Sequence, residues 1–133
     1  NGPLTPPTRS DIVALGFVSD EDKRDAFAAA TVVCQPSLWE SFSIVLMEAW
    51  LAGKPVLVHG DCDVTHDHVR RSHGGLYYAT FDEFAGALDW LVSHPIERAQ
   101  LGQQGRAYVR REYAWPNVIN RFRQALQAWQ AET

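Results

Sequence analysis

Glu40 and Glu48 are separated by seven residues in Ser37-Leu38-Trp39-Glu40-Ser41-Phe42-Ser43-Ile44-Val45-Leu46-Met47-Glu48-Ala49. A carboxylate accepts two hydrogen bonds at once, which suits the vicinal hydroxyls of a sugar. Ser41 and Ser43 add small side chains and hydroxyls at the point where a helix is expected to begin. The N-terminus of a helix presents unpaired N–H groups and a positive dipole end, a natural seat for phosphate. Glu40 falls ahead of that helix and Glu48 about one turn inside it, roughly 5 Å further along the axis. A nucleoside diphosphate sugar has a diol at each end with phosphates between. Glu40 on the sugar, the helix start on the diphosphate and Glu48 on the ribose would match that order. The spacing admits this arrangement without requiring it; taken alone, the two acids read better as solvated charges on a loop and a helix.

The elements that must hold these residues follow from apolar patterning. Ile12-Val13-Ala14-Leu15, Thr31-Val32-Val33-Cys34-Gln35, Val56-Leu57-Val58 and Leu76-Tyr77-Tyr78-Ala79 are short apolar runs that read as four buried strands. Between them the pattern predicts helices over about 20–30, from about Ser43 to Gly53, and from Thr65, as cap, through Val69 and Arg71. Ser19 is expected to cap the first, with Asp22 three residues on. Gly53 is expected to end the second. Within it, Ile44, Leu46, Met47, Trp50 and Leu51 read as the apolar contacts. Asp82 is expected to cap a helix with Phe84, Leu88 and Leu91 on one face. Pro95 opens a further helix over about 96–112, which Gly102 and Gly105 weaken, so it must lean on tertiary contacts. Trp115-Pro116 breaks it before a last helix with Val118, Phe122, Leu126 and Trp129 on one face. Strands alternating with helices describe an α/β fold, a Rossmann-like parallel sheet with flanking helices. In such sheets ligands bind beyond the carboxyl ends of the strands, where residues 36–43 fall.

The chain has 133 residues, 46% of them hydrophobic, enough for one cored domain. Twelve basic against sixteen acidic side chains, a net −4, are a poor footprint for nucleic acid. There is no run of about 18 apolar residues to span a membrane and no secretory signal pattern at the start. Cys34 and Cys62 read as two free thiols of a reducing compartment, Cys34 as a small buried hydrophobe. The location expected is cytoplasmic, with peripheral contact at the inner membrane face left open. Residues 1–10 read as a Pro/Gly-rich linker or disordered start, 11–114 as a partial Rossmann-like domain and 115–133 as a C-terminal helix packing back on it or toward a further, N-terminal domain. The start at Asn1 without Met suggests a piece of a longer protein, lacking its first strand or strands.

Pro36-Ser37, Glu40-Ser41-Phe42-Ser43-Ile44-Val45-Leu46-Met47-Glu48-Ala49 and Ala52-Gly53-Lys54-Pro55-Val56 closely resemble the E-x7-E region of retaining glycosyltransferases of the GT-B fold, family 4 or group 1. Leu15-Gly16-Phe17-Val18-Ser19, Gly75-Leu76-Tyr77-Tyr78, Leu101-Gly102 and Tyr113-Ala114-Trp115 extend the resemblance over about residues 12 to 126. It implies the C-terminal, nucleotide-sugar-binding half of such an enzyme. Glu40 would be the catalytic-site acid that contacts the donor sugar, and Glu48 the acid on the ribose. The segment Ser41, Phe42, Ser43, Ile44 and Val45 would approach the diphosphate and sugar. Val18 would contact the base through its backbone, with Lys23 near the same pocket. The partners implied are a nucleotide sugar, a hydroxyl acceptor and an N-terminal GT-B domain carrying the basic pair for the phosphates; no cofactor or metal is implied. The chain alone is then expected to bind its donor weakly and not to turn over. A non-catalytic nucleotide-sugar-binding module, and less so a GT-B-fold epimerase, are the alternatives.

Two departures stand out. Many relatives have glycine where Ser43 stands. Their Gly-Gly before a later acid is replaced by Asp61-Cys62-Asp63-Val64-Thr65-His66-Asp67. Asp61-Cys62-Asp63 is a short DxD match, and His59, His66, Asp67 and His68 could in principle hold a metal; surface-loop histidines are the plainer reading. Trp39 and Trp50 read as core or interdomain aromatics before base-stacking ones, and Arg70-Arg71 as a solvated helix end.

Overall fold

The structure is a computed structural model that describes residues 8–132; the prolines at 3, 6 and 7 and most of the expected linker lie outside the described residues. Its centre is β2 (Val56–His59), whose Val56, Leu57 and Val58 are wholly buried. Such a run needs cover on both faces, and both are covered. Val56 and Val58 join Leu46, Met47, Trp50, Val69, Tyr108 and Val109 on one side. Leu57 joins Tyr78 and Leu91 on the other, with Phe84, Leu88 and Leu101 packed against them. Each buried aliphatic side chain contributes about 1.5–3 kcal/mol.

β2 lies between β1 (Val33–Gln35) and β3 (Gly75–Tyr78), and both pairings are parallel. Cys34 is in register with Leu57, which in turn faces Leu76. The helices are α1 (Asp20–Ala29), α2 (Ile44–Leu51), α3 (Asp63–Ser72), α4 (Phe81–Ser93), α5 (Pro95–Tyr113) and α6 (Trp115–Glu132). The Rossmann-like α/β reading therefore holds, with three strands rather than four among the described residues. Ile12 to Leu15 form no strand, and Val13 is 76% exposed. An apolar run becomes a strand only when another strand takes up its backbone groups; β1 is the end strand of the sheet here. For the same reason Cys34, on β1, is exposed rather than buried, while Cys62 is the buried thiol; both are free.

Three caps are informative. Ser19 Oγ accepts from the Asp22 N–H and caps α1, as its position suggests. Asp82 does not cap α4. Thr80 does, accepting from the Glu83 N–H at 3.2 Å, and Asp82 sits in the first turn, where its charge favours the dipole. Thr65 does not cap α3 either: Cys62 is the N-cap residue, and Thr65 is buried one turn in, its hydroxyl on the Cys62 carbonyl.

α2 ends in a Schellman arrangement. Gly53, at φ +74°, donates to the Trp50 carbonyl at 2.8 Å, and Lys54 to Ala49 at 2.9 Å. The turn delivers the chain straight into β2. The contacts of α2 are Leu46, Met47, Ala49 and Trp50; Ile44 and Leu51 are exposed, contrary to the sequence pattern. Trp50 is fully buried, donates Nε1–H to the Gly74 carbonyl at 2.9 Å and lies against Gly105 of α5. A Cβ at Gly105 would stand inside the indole. The residue that weakens α5 as a helix thus lets α5 approach α2. The apolar residues Trp115, Phe122, Leu126 and Trp129 of α6 are exposed.

Candidate functional site

The loop 36–43 leaves the carboxyl end of β1 and enters α2 through Ser43. Ser43 adopts the left-handed conformation, φ +63° and ψ +72°, and is 6% exposed. This accounts for glycine at this position in the resembling sequences: a side chain in that region costs about 1–2 kcal/mol. The turn bends the chain so that the first helical N–H groups open onto the loop. Leu46 N–H returns to the Ser43 carbonyl at 3.1 Å. Ser43 Oγ makes no cap bond and has no hydrogen-bond partner among the described residues.

Glu48 lies one turn into α2 and is partly buried. Lys23 of α1 donates to its Oε1 at 2.8 Å. The second oxygen, Oε2, is buried with no partner among the described residues. A buried carboxylate oxygen without a donor costs free energy. Near α2 there are thus two unsatisfied acceptors, one at the helix start and one a turn inside. Lys23 lines a groove between α1 and α2 with Glu48 and Phe27. It also lines a second groove with Val18, Phe27 and Val33. Lys23 thus borders both grooves, paired with Glu48 in one and beside Val18 in the other.

Glu40 stands apart from them. It is half-buried at the end of the loop, and Gln35, the last residue of β1, donates Nε2–H to its Oε1 at 3.1 Å. Ser41 and Ile44 are exposed and Val45 half-buried. The Phe42 ring packs edge-on against His68 of α3, at 5.4 Å between centroids, and against Tyr113 of α5, at 5.1 Å. His68 Nδ1 meets the Tyr108 hydroxyl at 2.9 Å, and that hydroxyl meets Tyr113 Oη at 3.3 Å. Burial holds the His68 imidazole below its ordinary pKa, opposed by Asp67 and by the Phe42 backbone carbonyl. Burial also raises the Tyr108 hydroxyl, with its bond to Tyr113 adding to the shift.

Sequence reasoning missed Gln35 and Tyr108 and considered His68 only as a metal candidate. Gln35 directly precedes the loop, His68 reaches Phe42 from α3, and Tyr108 meets His68 from α5; no periodicity links them. The remaining candidates disperse. His59 faces Tyr78 and stands 3.9 Å from Asp61, whereas His66 lies on Tyr77 and His68 points into the Phe42 cluster. Among the described residues no group of three or more His, Cys, Asp or Glu side chains is placed to hold a metal ion. Trp39 is 89% exposed beside Glu40, and Trp50 belongs to the core. Arg71 is not simply solvated: with Arg111 and Arg121 it converges on Glu112, whose carboxyl they hold below the usual range.

The profile of the glycosyl transferases group 1 family matches residues 8–108. The chain belongs to this family. Among group 1 relatives, the phosphatidyl-myo-inositol mannosyltransferase of Mycobacterium leprae is 37% identical over 109 residues, 80% of this chain and 29% of that protein. An uncharacterized glycosyltransferase of Methanocaldococcus jannaschii is 30% identical over 112 residues, 83% of this chain and 28% of its own length. The MMP alpha-(1->4)-mannosyltransferase of Mycolicibacterium hassiacum is 31% identical over 124 residues, 82% of this chain and 27% of that protein. The chain thus spans under a third of these relatives' length, and corresponds to the C-terminal part of GT-B glycosyltransferases. The fold agrees: sucrose-phosphate synthase from Thermosynechococcus elongatus superposes with a TM-score of 0.74 at 24% identity, over 90% of this chain and 30% of that one. No helix among the described residues is long and apolar enough to cross a membrane.

Proposed function

We propose that this group 1 domain binds the donor, a nucleoside diphosphate sugar, for a retaining glycosyltransferase that passes the sugar to a hydroxyl acceptor. The observation that carries the reading is Glu48: Lys23 anchors one oxygen and the other is buried and unpaired, one turn inside a helix whose start is also unsatisfied. Ribose hydroxyls are donors, and a diol would complete this carboxylate. The diphosphate lies across the start of α2, at Ser43, Ile44 and Val45. Its negative charge is favoured there by the helix dipole and the unpaired N–H groups. The base sits by Val18 and Lys23. Glu40, fixed by Gln35, faces the sugar, where a carboxylate stabilises positive charge developing at the anomeric carbon. The leaving phosphate then takes the acceptor proton. No metal enters this scheme.

The names of several relatives supply mannosyl transfer as the nearest chemistry, and lipid-linked inositol as one acceptor class. The basic groups that neutralise the diphosphate and the surface that binds the acceptor belong, in this reading, to the rest of a longer enzyme. The test is a product assay on the full-length protein with uridine, guanosine and adenosine diphosphate sugars. Transfer from one of them, with anomeric configuration retained, is expected. Binding without transfer would favour a non-catalytic module, and release of an isomerised sugar would favour an epimerase.

A further inference from the structure

The donor loop is held from beneath by a buried polar relay. His68 is 6% exposed, although it lies between two charged neighbours on α3, Asp67 and Arg70. Its imidazole meets the edge of the Phe42 ring, and its Nδ1 lies 2.9 Å from Tyr108 Oη. The Phe42 backbone carbonyl also acts on the ring, favouring a proton there. With Nδ1 engaged by Tyr108, the other ring nitrogen is the one left for that carbonyl. A neutral tautomer with its proton on Nε2 then lets Tyr108 donate to Nδ1 and Tyr113 donate to Tyr108. Phe42 immediately precedes Ser43, the left-handed residue that turns the loop into α2. Such a residue persists only where its surroundings over-determine it.

We propose that His68 is a positioning residue for the donor: through its packing against the Phe42 ring, it fixes the turn that presents the N-terminus of α2 to the diphosphate. The proposal rests on the donor-binding reading of that loop. The groups facing the imidazole are Asp67 and Arg71 from α3, Tyr108 and Tyr113 from α5, and Phe42 from the loop. Asp67 favours the charged ring; burial, the dominant influence, and Arg71 oppose it. The imidazole is therefore neutral near pH 7. Protonation in mild acid fills Nδ1 with hydrogen, reverses the Tyr108 and Tyr113 hydroxyls and places a charge beneath the turn.

Two readouts on the full-length protein test this. One is hydrogen exchange over residues 37–46 without ligand; the other is the Kd for UDP, GDP or ADP, whichever binds best, between pH 5.5 and 8. His68→Leu, folded by its melting curve, should lose exchange protection over 37–46 and bind the diphosphate about tenfold more weakly. His68→Gln keeps a polar partner for the Tyr108 hydroxyl and cannot titrate. It should retain protection and most affinity, and should lack the weakening that wild type shows in mild acid. Tyr108→Phe, which keeps the packing and removes the hydroxyl, should fall between them. Unchanged protection and affinity in His68→Leu, or a His68→Gln pH profile that follows wild type, would overturn the proposal. If wild type binds none of the three diphosphates, the donor-binding reading fails, and the exchange data still decide whether His68 holds the turn.

Discussion

Ser43 shows how one residue can connect backbone conformation to ligand chemistry. At φ +63° it bends the loop into α2 and leaves its own hydroxyl buried without a partner among the described residues. Ser43→Gly should remove the left-handed penalty of about 1 kcal/mol. Greater freedom in the unfolded chain takes back roughly half of it. A small rise in melting temperature is expected, with donor affinity kept because the N–H groups remain. Loss of affinity would mean that the hydroxyl itself is a ligand. Glu40 and Glu48 should separate in kinetics. Glu40→Ala in the full-length enzyme is expected to lower kcat by on the order of 10²-fold with donor affinity little changed. The Lys23–Glu48 pair, by contrast, should hardly matter for folding. Both side chains are about one-third or more exposed, and Lys23→Ala should shift stability by less than about 1 kcal/mol.

The elements near the site are set by contacts that propensity does not encode. By helix propensity alone, Gly105→Ala should stabilise α5 by about 1 kcal/mol. The added Cβ would meet the Trp50 indole, so the variant should instead lose about 1–3 kcal/mol in urea melts. A gain would show that α2 and α5 can move apart freely. At the start of α4, Thr80→Ala should lower stability by about 1 kcal/mol and Asp82→Ala by less, because the hydroxyl of Thr80 makes the cap bond. The sequence points to Asp82 as the cap, and the backbone geometry gives that place to Thr80. The helix and strand order was legible because each strand that forms has its partner within this chain. Ile12 to Leu15 has the same apolar composition and stays outside the sheet, since composition does not say who the neighbour is. The two acids were legible as a motif. The relay of Phe42, His68, Tyr108 and Tyr113 was not, because it joins the loop, α3 and α5 across 26 to 71 positions of sequence through tertiary contacts.

At the scale of the whole molecule, the proposed donor-side residues lie on α1, α2 and the loop after β1, and a donor site there would leave other requirements unmet. The one cation paired with the site acids is Lys23, among the described residues. The converging arginines Arg71, Arg111 and Arg121 are engaged with Glu112. A diphosphate needs more positive charge than the start of one short helix supplies. The 133 residues alone should therefore form no transfer product with any donor, whereas the full-length protein should; product from the 133 residues alone would place the entire active site within them. Acid should also weaken the fold in a definite order. His68 is held neutral in the folded state, so the unfolded chain takes up that proton first as pH falls below about 6.5. Its contribution is present above that pH and lost below it. The contribution of Glu112, whose carboxyl is held low by its arginines, is lost only at lower pH. In pH-dependent melts, His68→Gln should remove the first step and leave the second.

The central claim is that Glu48 reads the ribose of a nucleotide sugar. The most direct measurement is calorimetric titration of the full-length protein and its Glu48→Ala variant with uridine, guanosine and adenosine diphosphate sugars. Wild type should bind at least one of them saturably, and the variant should bind it at least about tenfold more weakly, with an unchanged melting profile. Equal affinity in the two proteins, or no binding of any of the three by wild type, would contradict it.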